Sequence, residues 1–223
     1  MSMVLEKEQI QIIEKYLDNK ELVQLDIRNE VLDHIANGIE NAIQKDNISF
    51  ENALKIEILK WDRALINHSN LLIGLLYTGP KILITKCVKT LKKLYLYVVV
   101  LAFVIAILLS RLHQNFDDDI LKTISSFLGY LYLTAFVVAG VYFFRIKKSS
   151  HKTSYGFLFG AHFLGSCIYY IIYNPLFLDM MPVFSEKDYV WIFYGFHGIL
   201  IGLIYSFYFL YKKHLKTQRL MLV

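Results

Sequence analysis

The chain has 223 residues, of which 56% are hydrophobic, and carries a formal net charge of +5 with a pI near 9.0. That charge is a sum of opposites: residues 1–80 hold 8 Lys+Arg against 13 Asp+Glu, a net of −5, whereas residues 81–223 hold 16 against 6, a net of +10. The basic balance is therefore no argument for nucleic acid as a partner, because the cations gather beside long apolar runs, where they set topology and meet lipid headgroups.

The acidic N-terminal part comes first. Its opening residues, MSMVLEKEQIQIIEKYL, lack a basic start and an uninterrupted apolar core, which predicts no secretory signal there. Three short helices are predicted over residues 1–66. The first covers about 4–17, with Ile10, Ile13 and Leu17 at helical spacing. The second covers about 22–44, where Leu25, Leu32, Ile35, Ile39 and Ile43 recur every three to four residues. After the turn KDNIS, Ser49 stands as N-cap of a third helix carrying Phe50, Ala53, Leu54, Ile58, Trp61 and Leu65, with Glu51 in its first turn. So small a domain is near the lower limit of independent stability. Asp26, Glu30, Asp33 and His34 form a candidate docking surface on the second helix. Glu30 and His34 are four apart on one face, but two ligands are too few for a metal site, and no metal or cofactor is expected.

The stretch LDIRNEVLDHIANGIENAIQKDNISFENALKIEILKW, residues 25–61, resembles the HAAS-type or permease-prefix helical domain of small bacterial membrane proteins. The resemblance rests on an acidic helix with Asp33, His34, Ile35, Ile39 and Glu40, followed by a turn and a helix start with Ser49, Glu51 and Ala53. Such domains are associated with transcriptional regulators or fused to transport components, which implies a regulatory or docking role without catalysis.

Residues 67–93 follow as a linker. Within them LLIGLLYTGPKILITKCVKTLKK is too interrupted to span a bilayer: Gly79-Pro80 breaks helical continuity and Lys81, Lys86 and Lys89 come soon after. Leucines mixed with lysines and Tyr77 fit a segment lying in the membrane interface, the alternative being a linker helix packed on the soluble part.

Four apolar runs then occupy about 94–110, 124–144, 154–174 and 189–211, each long enough for a core of about 30 Å. The fold class expected is all-α: a cytosolic three-helix module and a four-helix transmembrane bundle over 94–223. Lys81, Lys86, Lys89, Lys92, Lys93, Arg145, Lys147, Lys148, Lys152, Lys212, Lys213, Lys216 and Arg219 fall on one side, whereas Arg111, Lys122 and Lys187 fall on the other. Cytoplasmic loops retain cations, so both termini are placed inside the cell, in a multi-pass inner (plasma) membrane protein. The outer connections carry Asp117, Asp118 and Asp119, read as a solvated turn, and Asp179, Glu186 and Asp188. Cys87 and Cys167 have no disulfide context and are expected as ordinary thiols.

Inside the third run Tyr155, His162, Ser166, Tyr169 and Tyr173 share a face, and in the fourth Tyr194, His197, Tyr208 and Tyr211 cluster similarly. Polar stripes in lipid turn inward, toward the bundle interior or each other. His162, Ser166, Tyr169, Tyr194 and His197 are thus a candidate intramembrane polar seam, read as structural ahead of a proton or substrate path. Axial haem ligation by the two histidines fits poorly, since they lie at depths about 9 Å apart. Gly156 and Gly160 in the third run, and Gly195, Gly198 and Gly202 in the fourth, offer close helix packing of this pair, within one chain or in a homodimer. The sequence thus points to a non-enzymatic, membrane-anchored regulatory or sensor protein whose cytosolic module docks on another protein. The rival is a small permease subunit or membrane enzyme with a His/Tyr-lined site.

Overall fold

The computed structural model describes residues 5–113, 115–174 and 190–221. Among them lie seven helices and one short strand pair, in the order α1 (Lys7–Asn19), α2 (Leu25–Asp46), α3 (Phe50–Leu65), β1 (Asn67–Ser69), β2 (Thr78–Pro80), α4 (Lys81–His113), α5 (Asp118–Lys148), α6 (Ser154–Tyr173) and α7 (Val190–Met221). The chain divides into two compact units. One is Met1–Val88 with Ser150–Phe157 and His214–Val223; the other is Lys89–Ser149 with Leu158–Lys213.

In the first unit α2 packs against both α1 and α3. The Glu6 amide donates to Gln9 Oε1 at the start of α1 (2.9 Å), and Ile13 and Leu17 are fully buried. The core face of α2 is Ile27, Val31, Ile35 and Ile39, one residue per turn, all fully buried. Leu25, Leu32 and Ile43, which share the predicted apolar pattern, lie at the edges of that face and stay half-buried. Asn47 ends the helix in the left-handed region (φ 51°), a conformation asparagine tolerates. Ser49 occupies the N-cap of α3 with extended backbone. Hydrogen bonds from its own backbone and from Ser49 hold the exposed Glu51 carboxyl below the usual range.

Hydropathy offers no hint of Glu57, which is buried on the core side of α3, one turn after Ala53. Gly38 of α2 makes room for it: a Cβ on Gly38 would lie 2.6 Å from the Glu57 carboxyl carbon. Lys60 supplies the counter-charge at 2.5 Å.

The region 67–80 departs from the all-helical expectation. β1 and β2 pair antiparallel, with Asn67 opposite Pro80 and Ser69 opposite Thr78. Gly79 and Pro80 close β2, and a helix starts at once. α4 runs unbroken for 33 residues, about 50 Å at 1.5 Å per residue, so residues 81–93 are its first turns. Lysine is a good helix former, and Pro80 sits just before the first turn, where its missing N–H is not needed.

Four helices, α4 to α7, are long and apolar enough to cross a bilayer, the pattern of a multi-pass membrane protein. α5 begins at the aspartate run, with Asp117 as N-cap, so these acids open a helix rather than a free turn. Asp179, Glu186, Lys187, Asp188 and the first residue of the fourth predicted span lie outside the described residues.

In the second unit the glycines of α7 face α4. A Cβ on Gly202 would lie 2.8 Å from Val98 Cγ1, and one on Gly198 would collide with the Ala102 backbone. Expected to tighten the contact of the third and fourth spans, these glycines instead admit α4, and they do so within one chain. Phe136, stacked on Tyr170 at 4.1 Å, and Phe163 and Phe207 fill an aromatic layer among α5, α6 and α7.

Candidate functional site

The first turn of α6 collects the most elaborate polar arrangement. Helix N-termini leave backbone N–H groups without intrahelical partners and concentrate positive potential there. Thr153 caps α6 through its own side chain, accepting from the Gly156 amide at 3.1 Å. Asp26, from the first turn of α2, supplies a second cap: Oδ1 accepts the Ser154 N–H at 2.8 Å and Oδ2 accepts the Ser154 hydroxyl. One residue earlier, the Leu25 amide donates to the Lys152 carbonyl at 3.0 Å. Thr153 also shares a hydrogen bond with His214 Nδ1 of α7 at 2.7 Å, and Gln218 Nε2 donates to the His151 carbonyl at 2.7 Å. Asp26, Thr153, Ser154 and His214 are all buried. Lys86 Nζ stands 3.1 Å from Glu30 and 3.7 Å from Asp26, so the carboxylates have a cation beside them. The buried Cys87 thiol lies 3.7 Å from the Ser154 carbonyl.

This arrangement divides the docking residues expected on α2. Asp26 is withdrawn from the surface into internal bonds, and Glu30, exposed, is paired with Lys86. Asp33 and His34 remain exposed, the His34 ring 6.1 Å from that of Trp61. Thr153, Ser154 and His214 do not stand out in the sequence. Thr-Ser ahead of an apolar run is a cap signal, but nothing local announces that its second cap comes from 128 residues away.

Within the spans, His162, Tyr194 and His197 each bond to a helix that carries none of the other candidate seam residues. His162 Nδ1 of α6 shares a hydrogen bond with the Tyr95 hydroxyl of α4 (3.4 Å). His197 Nδ1 of α7 shares one with Tyr132 of α5 (3.1 Å), and Tyr194 of α7 shares one with His113 Nδ1 of α4 (2.9 Å). Ser166 bonds within its own helix, donating to the His162 carbonyl at 2.8 Å. Tyr169 rests against Tyr173 (4.5 Å), while its buried hydroxyl and His162 Nε2 have no hydrogen-bond partner among the described residues. Tyr211 stacks on Tyr142 at 3.9 Å, and Tyr208 is exposed. Each imidazole is therefore met by a phenol from a different helix, an inter-helix tie of the neutral kind that lipid surroundings favour. The phenols Tyr95 and Tyr132 escape a sequence reading because a tyrosine in an apolar run has no periodic signature of its partner.

Among the described residues no three His, Cys, Asp or Glu side chains come together as metal ligands. One apolar cavity of about 370 Å³ lies between α4 and α7, lined by Val99, Ala102, Phe103, Trp191, Gly195 and neighbours. Set against known protein families, curated proteins and solved structures, the chain finds no match in any of the three.

Proposed function

We propose that the protein is a membrane-anchored docking or regulatory protein of the inner (plasma) membrane, with both termini cytoplasmic, and that it engages a cytosolic or membrane protein through the exposed face of α2 around Asp33 and His34. The observation that carries this reading is the double capping of α6. A partner that displaces α2 pulls directly on the first turn of an apolar helix, through Asp26 and Leu25. The resemblance of residues 25–61 to HAAS-type domains and the 13-to-3 distribution of cations support the same reading.

A photo-crosslinker at Asn37, one turn from Asp33, should capture a defined partner in the native cell. The adduct should vanish on Asp33→Lys and survive His162→Gln. Reporter fusions after Lys216 and within residues 115–122 should read cytoplasmic and external respectively, and an external C-terminus would overturn the orientation.

The second reading, a permease subunit or membrane enzyme, draws on His162 Nε2 and the Tyr169 hydroxyl, which have no partner among the described residues, since buried polar atoms left open are costly and often functional. A folded His162→Gln protein that fails to complement a deletion, while Asp33→Lys complements fully, would favour that reading.

A further inference from the structure

Between β1 and β2 the chain closes a loop, residues 70–77, that spends much of its backbone polarity internally. The Asn70 carbonyl accepts from Ile73 (3.0 Å) and Gly74 (3.1 Å), the Asn70 side chain accepts from Leu72 (3.0 Å), and the Tyr77 amide donates to the Gly74 carbonyl (3.0 Å). Gly74 makes the reversal at φ 101°, a conformation other L residues rarely adopt. Ile73 is buried and anchors the loop. The remaining apolar side chains point outward: Leu71 is 79% exposed, Leu75 65% and Leu76 96%, with Leu72 at 44%. Four exposed leucines in six residues are a large apolar patch for a loop, and such patches mark contact surfaces.

We infer that this loop is a membrane-insertion element, whose leucines enter the acyl region of the leaflet at which α4 starts, with the exposed lysines of α4 available to anionic headgroups. Three observations select lipid as the occupant. The loop leads within four residues into α4, itself apolar enough to span a bilayer. Lys81, Lys89, Lys92 and Lys93 are exposed along the first turns of α4, and that helix carries no Asp or Glu to neutralise them. The amides of Leu72, Ile73, Gly74 and Tyr77 are bonded within the loop, which lowers the cost of bringing its backbone to the polar edge of the bilayer while the leucine side chains reach the acyl chains. Apolar side chains joined to a basic segment are the combination by which interfacial segments hold an anionic leaflet.

The test uses the full chain, with Cys87 and Cys167 replaced by Ala, reconstituted in vesicles of phosphatidylethanolamine and phosphatidylglycerol. A nitroxide at Leu76→Cys should lose collisions with an aqueous nickel chelate and gain them with oxygen, whereas one at Asn37→Cys should show the reverse. A Leu76 label as nickel-accessible as the Asn37 label would overturn the inference. So would a label shielded from both reagents and broadened by spins of a second copy, which would make a protein the occupant. A label at Leu75→Cys should share the oxygen preference, and a nickel preference there would count equally against insertion of the loop. In vesicles of phosphatidylcholine alone the Leu76 label should rise toward water, and an unchanged depth would remove the role given to the lysines.

Discussion

The two units solve the same problem, a polar group out of water, with different chemistry. In the first, the buried polar groups include the carboxylates Asp26 and Glu57, each set beside a lysine and, for Asp26, bonded to an amide and a hydroxyl of a helix terminus. In the second, the ties between helices include neutral imidazole–phenol pairs, as between Tyr132 and His197. Charge-assisted bonds are individually stronger, but an ion in hydrocarbon costs several kcal/mol, which neutral pairs avoid. The difference teaches that strength per bond is traded for tolerance of the medium: a few strong bonds near water, several weak ones in lipid.

The comparison can be pressed hardest at the apolar core of α2. Ile35→Asp or Ile39→Asp places a carboxylate where the side chain is fully buried, and should cost about 4 kcal/mol or more, unfolding the N-terminal helices. Loss of the helical signal of residues 1–66 in circular dichroism would register it.

Next in size is the cap. Asp26→Ala strands the Ser154 amide and hydroxyl and should cost about 2–3 kcal/mol, while Asp26→Asn, which keeps one acceptor, should cost about half as much. In a thermal-denaturation cycle the Asp26→Ala and Ser154→Ala effects should be non-additive by about 1–2 kcal/mol. Additive effects would mean that the bond carries no coupling.

The glycines of the second unit should separate by their surroundings. Gly198→Ala, driven against the Ala102 backbone, should destabilise by about 1–3 kcal/mol. Gly165→Ala, with open space where the methyl would go, should be neutral or stabilising by up to about 1 kcal/mol. Detergent melting temperatures of the two variants give the ordering.

The smallest effects belong to the neutral ties. Tyr132→Phe and His197→Gln should each cost about 0.6–2 kcal/mol. A loss as large as that of Asp26→Ala would erase the distinction between the units.

Much of the fold is legible in the sequence because a segment's hydropathy declares a span without reference to its neighbours. The ends are less so. Hydropathy starts the first span at Leu94, since lysines lower it, but lysines do not stop a helix, and α4 starts at Lys81. It closes the last span at Tyr211, although α7 continues to Met221 through Lys212, Lys213 and Lys216. The strand pair at 67–80 is invisible, being three residues a side with no alternating pattern. At the site, His162 and His197 stand out as polar residues in apolar runs. Their partners do not, because pairing across helices is decided by packing. Asp26 reads as surface for the reason that an aspartate in a helix's first turn usually is; its burial depends on Ser154, which no local pattern brings near.

The contact of Gly198 and Gly202 with Ala102 and Val98 has a mechanical consequence. Where side chains separate two helices, rotamer changes let one slide along the other; where backbone meets backbone there is no such compliance. At Gly198 the α7 backbone sits on the Ala102 backbone of α4, and one turn on Gly202 receives the branched Val98 side chain, which has few rotamers to yield, so the two helices are keyed together against axial sliding. A force applied along α7 is delivered to α4 as displacement rather than being absorbed as rearranged packing.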